Sequence, residues 1–245
     1  MSVGHCASPR SSARFVLALL AILLSLCVSP IRSQELGGGV ASKENLDLPF
    51  DAMGEEEEEE DAPEIVTFYG QQLEADGFFY IIDSSGSMRD SGELEVAKRE
   101  IIRNISEFSD QVEFGIVFFN ANISKYPPSG QPAQANPGMK SAASAWVQAY
   151  QGASGSCVQQ GFTQLIQLAN FASAKRKVMV YLGDGGGTCG GEEATYLRAA
   201  LSSITAMNYQ RIQINTIGFR EPAQINTDFL KRLATANGGT YTKKL

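Results

Sequence analysis

Two aspartates and three serines are the residues of this chain whose types and spacing suggest chemistry. Asp83, Ser85 and Ser87 alternate within Asp83-Ser84-Ser85-Gly86-Ser87, directly after the apolar run Gly77-Phe78-Phe79-Tyr80-Ile81-Ile82. Asp184 stands in Gly183-Asp184-Gly185-Gly186-Gly187, after the apolar stretch 177–182, and Ser156 stands in Gly155-Ser156-Cys157, ahead of a helical pattern that starts near Val158. Together they make an all-oxygen donor set that needs neither thiolate nor imidazole. Such a set suits a hard divalent cation, and magnesium in particular prefers octahedral oxygen ligation with some waters retained. Manganese and calcium accept the same ligand types. With so few carboxylates the ion keeps net positive charge and can take a carboxylate from outside. Four of the five also have a plainer use: Asp83 and Ser85 as caps of the turn after a strand, Asp184 and its glycines as a turn, and Ser156 as the N-cap of the next helix.

Other chemistries are poorly supplied. The single histidine, His5, lies in a segment that reads as an export signal: Arg10 and Arg14 precede the apolar run 15–28, and Ser29, Pro30, Ser33 and Gln34 follow it. The run is shorter than the ~20 apolar residues that cross a bilayer. A signal peptide over residues 1–33 is therefore expected, with an uncleaved signal anchor as the alternative, and a secreted, periplasmic or otherwise extracytoplasmic location. Leu24-Ser25-Leu26-Cys27 lacks the small residue that a lipoprotein signal places before its cysteine. Cleavage removes His5, and with it Ser-His-Asp and Cys-His catalysis and histidine-ligated zinc. It also removes three of the 20 basic residues and no acid, so 17 face 27 and the charge moves from −7 to −10. No basic footprint for nucleic acid is left. Of four cysteines, Cys6 and Cys27 fall in the signal. Cys157 and Cys189 remain, an even pair that is a disulfide candidate in an exported protein; two buried thiols are the alternative.

The elements that must position these residues can be read from the apolar patterning. Residues 34–62, with Gly37-Gly38-Gly39 and the acidic run Glu55 to Asp61, read as a disordered acidic linker, because dense like charge repels itself and stays solvated. Beyond it, strands are expected at 65–69, 77–82, 112–119, 177–182 and 212–219, with a brief one at 123–126 and a last one at Thr240-Tyr241. Helical spacing marks 94–108, 141–150, 158–169, 197–204 and the surroundings of Phe229, Leu230 and Leu233. The alternation predicts an α/β fold of three layers, a mostly parallel central sheet flanked by helices on both faces. In such sheets ligands gather outside the carboxyl ends of the strands, which is where the polar loops fall. Asn104-Ile105-Ser106 and Asn122-Ile123-Ser124 fit the N-glycosylation pattern, which has meaning only in a eukaryotic secretory pathway, and chance matches are the simpler reading.

Asp83-Ser84-Ser85-Gly86-Ser87-Met88 resembles the D-x-S-x-S motif of the von Willebrand factor A (VWA) family, including its frequent G-S-M ending. Gly183-Asp184-Gly185 resembles the family's aspartate loop after the central strand. The similarity extends over residues 63–245, through Asn237-Gly238-Gly239-Thr240-Tyr241. It implies a Rossmann-like VWA domain over 63–245 and a metal-ion-dependent adhesion site. Asp83, Ser85, Ser87 and Asp184 would be ligands of magnesium there, the serine hydroxyls directly and the aspartates directly or through water. The family's middle loop usually offers a threonine. Ser156 takes that place here, a hydroxyl without the methyl group, while Thr163 lies too far along the helix. The implied function is an exported, non-enzymatic binding module that engages an acidic group of a protein partner through the metal. Two rivals remain: a scaffold with a structural or vestigial metal site, and a magnesium-dependent phosphatase of the haloacid dehalogenase type. The phosphatase motif needs a second aspartate where this chain has Ser85, so no acid stands ready to protonate a leaving group. A Cys157–Cys189 bridge would tie the middle loop to the aspartate loop and pre-organise the site.

Overall fold

Residues 62–220 and 223–244 are described in a computed structural model of the protein. The expected signal peptide over 1–33 and all but the last residue of the expected linker over 34–62 lie outside them. The described residues belong to one unit, Glu58–Leu245. It opens with β1 (Glu64–Phe68) and β2 (Gln71–Ala75), an antiparallel hairpin turning at Tyr69-Gly70. Both strands alternate buried and exposed residues, so each has one wet face. β3 (Gly77–Asp83) is buried at every position. A strand can be apolar throughout only where both faces are covered, and here Phe78, Tyr80 and Ile82 enter one core while Phe79 and Ile81 enter the other.

The chain continues through α1 (Gly86–Asp90), α2 (Glu93–Glu107), β4 (Glu113–Phe119), β5 (Ile123–Tyr126), β6 (Ala133–Gln134), α3 (Pro137–Ala149) and α4 (Val158–Phe171), then β7 (Lys177–Gly183), α5 (Glu193–Met207), β8 (Gln213–Gly218), α6 (Gln224–Ala236) and β9 (Tyr241–Lys243). The main sheet runs β5-β4-β3-β7-β8-β9, with β6 also paired to β4. β4, β3, β7, β8 and β9 are mutually parallel, and only β5 and β6 are antiparallel. Leu94, Ala97, Ile101 and Ile105 of α2, Ala143 and Val147 of α3, and Val66, Phe68 and Leu73 of the hairpin cover one face. Phe162 and Leu165 of α4, Leu197 and Ile204 of α5, and Leu230 and Leu233 of α6 cover the other. The expected three layers are thus present. From β3 the chain passes to β4 on one side and later to β7 on the other, so the carboxyl ends of β3 and β7 flank a switch in strand order, where open α/β sheets hold ligands.

Several elements differ from the expected ones for local reasons. The strand foreseen at 65–69 pairs with β2 in a sheet of its own rather than joining the main sheet, and it lies against one core because only Val66 and Phe68 point inward while Ile65 is 61% exposed. Its partner β2 has too few apolar residues, Leu73 and Ala75, to signal a strand. The helix expected from 94 is preceded by the separate α1, parted from α2 by Ser91 and Gly92, the latter with φ +77. α3 starts earlier than expected, at Pro137, where the Asn136 side chain accepts a hydrogen bond from the Met139 N–H. Capping by asparagine with proline at the first helical position favours such a start.

Candidate metal-binding site

Asp83 is the last residue of β3 and is fully buried. The Ser85 N–H donates to its Oδ1 at 2.8 Å, which folds the loop back over the strand end and aims the next side chains at the same spot. Ser85 occupies the N-cap position of α1 but makes no side-chain cap; its Oγ instead lies 3.0 Å from Ser87 Oγ. Ser87 Oγ donates to Asp184 Oδ2 at 2.7 Å, across from the end of β7. Ser156 Oγ reaches Asp83 Oδ2 at 3.4 Å and donates to the Gly186 carbonyl at 2.7 Å. The five residues singled out in the sequence therefore meet at one point, from three loops. The helix α4 begins after Cys157 with no side-chain cap, so Ser156 is not its N-cap. Thr163 donates within α4 to the Gln159 carbonyl, and it makes no hydrogen bond to any of the five.

Two glycines allow close approaches here, Gly183 between β3 and β7 and Gly185 against α6. A Cβ on Gly183 would fall 2.5 Å from Asp83 Cβ and 2.6 Å from the Tyr181 hydroxyl. Gly185 holds φ +78, a left-handed conformation that side chains resist, and a Cβ there would also meet the Asn226 carbonyl at 2.7 Å. Beside them, Gly186 N–H donates to Asp184 Oδ1 at 3.1 Å and locks that carboxylate's orientation.

A polar network under the first loop was not legible in the sequence. Ser84 Oγ donates to the Phe119 carbonyl at 2.8 Å and lies 3.1 Å from the Tyr150 hydroxyl, while Asn120 Nδ2 donates to both hydroxyls. Tyr150 stacks on Phe118 with ring centroids 4.1 Å apart. The buried Lys98 donates to the Gln148 and Tyr150 carbonyls at 3.0 Å each and to Glu95 at 2.8 Å. A cation at the end of α3 satisfies carbonyls left without helical partners, and so fixes Tyr150 against Ser84. Thr188 does the same for the middle loop: its Oγ1 accepts from Ser156 N–H at 2.9 Å and its own N–H donates to the Ser156 carbonyl at 3.0 Å. Next to it, Cys157 and Cys189 form a disulfide with Cα atoms 5.1 Å apart, joining the middle and aspartate loops.

The electrostatics are those of a site short of positive charge. Burial, and after it the charge of Asp184, pushes the Asp83 carboxyl up to about 7, against hydrogen bonds from Ser85 and Ser156 that favour its charged form. Among the described residues no basic side chain pairs with Asp83; the nearest cation to the pair of carboxylates is Arg220, with Nη1 3.7 Å from Asp184 Oδ2. A buried carboxylate without a counter-charge is costly, and a divalent ion in an oxygen cage removes that cost. No group of three or more histidine, cysteine, aspartate or glutamate side chains is placed to hold a metal among the described residues. A cation here would rest on two carboxylates and the serine hydroxyls, which is the donor set of a hard ion that keeps an open position.

With this geometry in place, comparison with known proteins gives the class. The profile of the von Willebrand factor type A domain matches residues 79–244, more than half of the chain, and the protein belongs to that family. No curated protein sequence matches it. Among solved structures, a von Willebrand factor type A protein from Catenulispora acidiphila superposes with a TM-score of 0.59 at 23% identity, covering 70% of this chain and 39% of that one. The pilus adhesin SpaC from Lactobacillus rhamnosus GG, in an open conformation, gives a TM-score of 0.56 at 12% identity, covering 70% and 28%. Proximal thread matrix protein 1 from the mussel byssus, with a zinc-occupied MIDAS motif, gives 0.53 at 15% identity, covering 74% and 43%. At these identities the likeness is one of fold, and the chain spans well under two thirds of each of these structures.

Proposed function

We propose that this protein is an exported binding module that engages an acidic group of a protein partner through a divalent ion, magnesium first, held by Asp83, Ser85, Ser87, Ser156 and Asp184. The observation that carries the reading is the convergence of these five side chains at the strand-order switch, around a buried Asp83 with no cationic partner. The ion, when bound, supplies a Lewis-acidic position that an oxygen of the partner can fill. The chain's own residues do the rest. Ser85 and Ser87 present hydroxyls from the first turn after β3, Asp184 orients Ser87, and the Ser84-Asn120-Tyr150 network keeps the first loop in register. Half-exposed guanidinium groups of Arg89, in α1, and Arg220, just beyond β8, stand next to the site and favour an anionic partner over a cationic one.

A non-enzymatic role is supported by the chemistry at hand. Ser85 stands where a phosphatase of this motif type would carry its second acid, and none of the five side chains is an imidazole or a thiol. The metal-occupied and adhesive relatives of the same fold agree with the reading. Among the described residues no helix is long and apolar enough to cross a membrane. Calorimetric titration of magnesium into the full chain tests the site. Binding is expected for the wild type and lost in Asp83→Ala. Capture of a partner from the native extract is expected to fail in chelator and in Asp184→Ala, and capture indifferent to both would overturn the proposal.

A further inference from the structure

Arg220 is the one basic side chain among the described residues that pairs with a carboxylate of the candidate site, with its Nη1 3.7 Å from Asp184 Oδ2. Its backbone holds φ +61, one of three non-glycine residues with positive φ among those described. A long side chain in the left-handed region is uncommon and strained, so it persists where the surroundings impose it. Those surroundings are well fastened. Phe219, just before it, is fully buried, donates its N–H to the Gly183 carbonyl at 3.0 Å, and packs edge-on against Tyr69 at 5.6 Å. The Lys244 ammonium lies 4.9 Å from the Phe219 ring centroid. β8 thus delivers Arg220 to the rim of the aspartate loop from a rigid base, while the guanidinium itself stays half-exposed and free to turn away.

We infer that Arg220 is a tethered counter-ion that competes with the divalent ion for Asp184 and so sets the metal affinity of the site. This rests on the metal-binding reading above and goes beyond it, because it assigns a role to a residue outside the five ligands. The charge logic is direct. Asp184 Oδ2 already accepts from Ser87 Oγ at 2.7 Å, and the nearby guanidinium supplies part of the positive charge that the two carboxylates lack. A divalent cation entering between the same oxygens meets a like charge a few ångströms away. Arg220 must then swing toward solvent, where its exposure leaves room for it. Asp184 is the group that faces the guanidinium, and the aspartate loop behind it is bordered by Glu193 on α5, which accepts from the Gly187 N–H, and Asn226 on α6, whose carbonyl lies against Gly185. None of them replaces Arg220 as a cation.

The test is calorimetric titration of magnesium and of manganese into the full-length wild type, Arg220→Gln, Arg220→Gly and Arg220→Lys, at low and at high salt. Removing the charge is expected to tighten binding about fivefold at low salt, the scale of a half-exposed ion pair, and high salt should shrink that gain because the pair is screened. Arg220→Lys keeps the charge and should stay near the wild type. Arg220→Gly suits a positive φ, so it separates loss of charge from a misfolded loop; thermal melts in chelator report the fold of each variant. Metal binding by the wild type with no gain, or with a loss, in both Arg220→Gln and Arg220→Gly overturns the inference alone. No metal binding by any of the four proteins overturns the metal reading and this inference with it.

Discussion

Asp83 is the residue on which most of the chemistry turns. Its carboxyl is pushed up to about 7 first by burial and then by Asp184, so near neutral pH a cation must displace a proton to bind. Magnesium affinity is therefore expected to fall as pH drops below 7, approaching tenfold per unit, with proton release on binding. Titrations in buffers of different ionisation enthalpy measure both. The stability sign follows from the same shift. A carboxyl whose folded value lies above its unfolded value of about 4 stabilises the fold fully only below the unfolded value, and this contribution is lost as pH rises through about 7. In chelator the domain should melt lower at pH 8 than at pH 6 on account of this group, and the stabilisation by magnesium should be larger at pH 8. Equal magnesium-induced shifts in melting temperature at the two pH values would contradict the burial-driven shift at Asp83. The surroundings also decide a second matter at this scale. Asn104 is fully buried and accepts from the Tyr80 hydroxyl at 3.3 Å, which removes it as a glycan acceptor, whereas Asn122 is exposed.

At the level of elements, the site is a meeting of loops that strands and one covalent link hold together. The Cys157–Cys189 disulfide closes a sequence separation of 32 residues. Loop-closure entropy for that length amounts to about 3–4 kcal/mol. Reduction, or replacement of both cysteines by serine, is expected to lower stability by that order in denaturant melts and to weaken magnesium binding by loosening Ser156 relative to Asp184. Alkylation without reductant should leave Cys157 and Cys189 unlabelled in a peptide map. Gly183 carries a sharper prediction, since a methyl there would sit 2.5 Å from Asp83 Cβ. Gly183→Ala is expected to prise apart the ends of β3 and β7, costing about 1–3 kcal/mol through overpacking and abolishing measurable magnesium binding in calorimetry. A variant with wild-type affinity would show that the close approach is not what builds the site.

Across the whole molecule, one face of the sheet is completed by the β1–β2 hairpin, which lies ahead of the region matched by the family profile. Phe68 is fully buried there, 5.5 Å from the Tyr80 ring and 5.1 Å from Tyr69. Phe68→Ala is expected to cost about 3–5 kcal/mol, the usual loss for a buried aromatic, as read by chemical denaturation. The turn of the hairpin also supports Phe219, the residue before Arg220, so the same variant should alter magnesium affinity as well as stability. A change near zero in both would mean that the hairpin merely rests on the core.

The sequence alone determined the layered α/β fold, because fully apolar runs such as 77–82 and the helical stripes of α2 and α4 admit few other arrangements in water. It also marked the five oxygen-bearing residues, four by type and position close after an apolar strand and Ser156 by its place ahead of a helix, since these are local properties. Tertiary structure alone decided what lies around them. Ser84, Asn120 and Tyr150 share a network although each looks ordinary in the chain, Thr188 pins Ser156 across 32 residues, and Arg220 reaches Asp184 from beyond the end of β8. β2 and β6 were likewise invisible, being short and weakly patterned. The reason is physical: hydropathy and turn chemistry act between neighbours in the chain, whereas hydrogen bonds and ion pairs at the site are set by strand order, which brings distant loops to one end of the sheet.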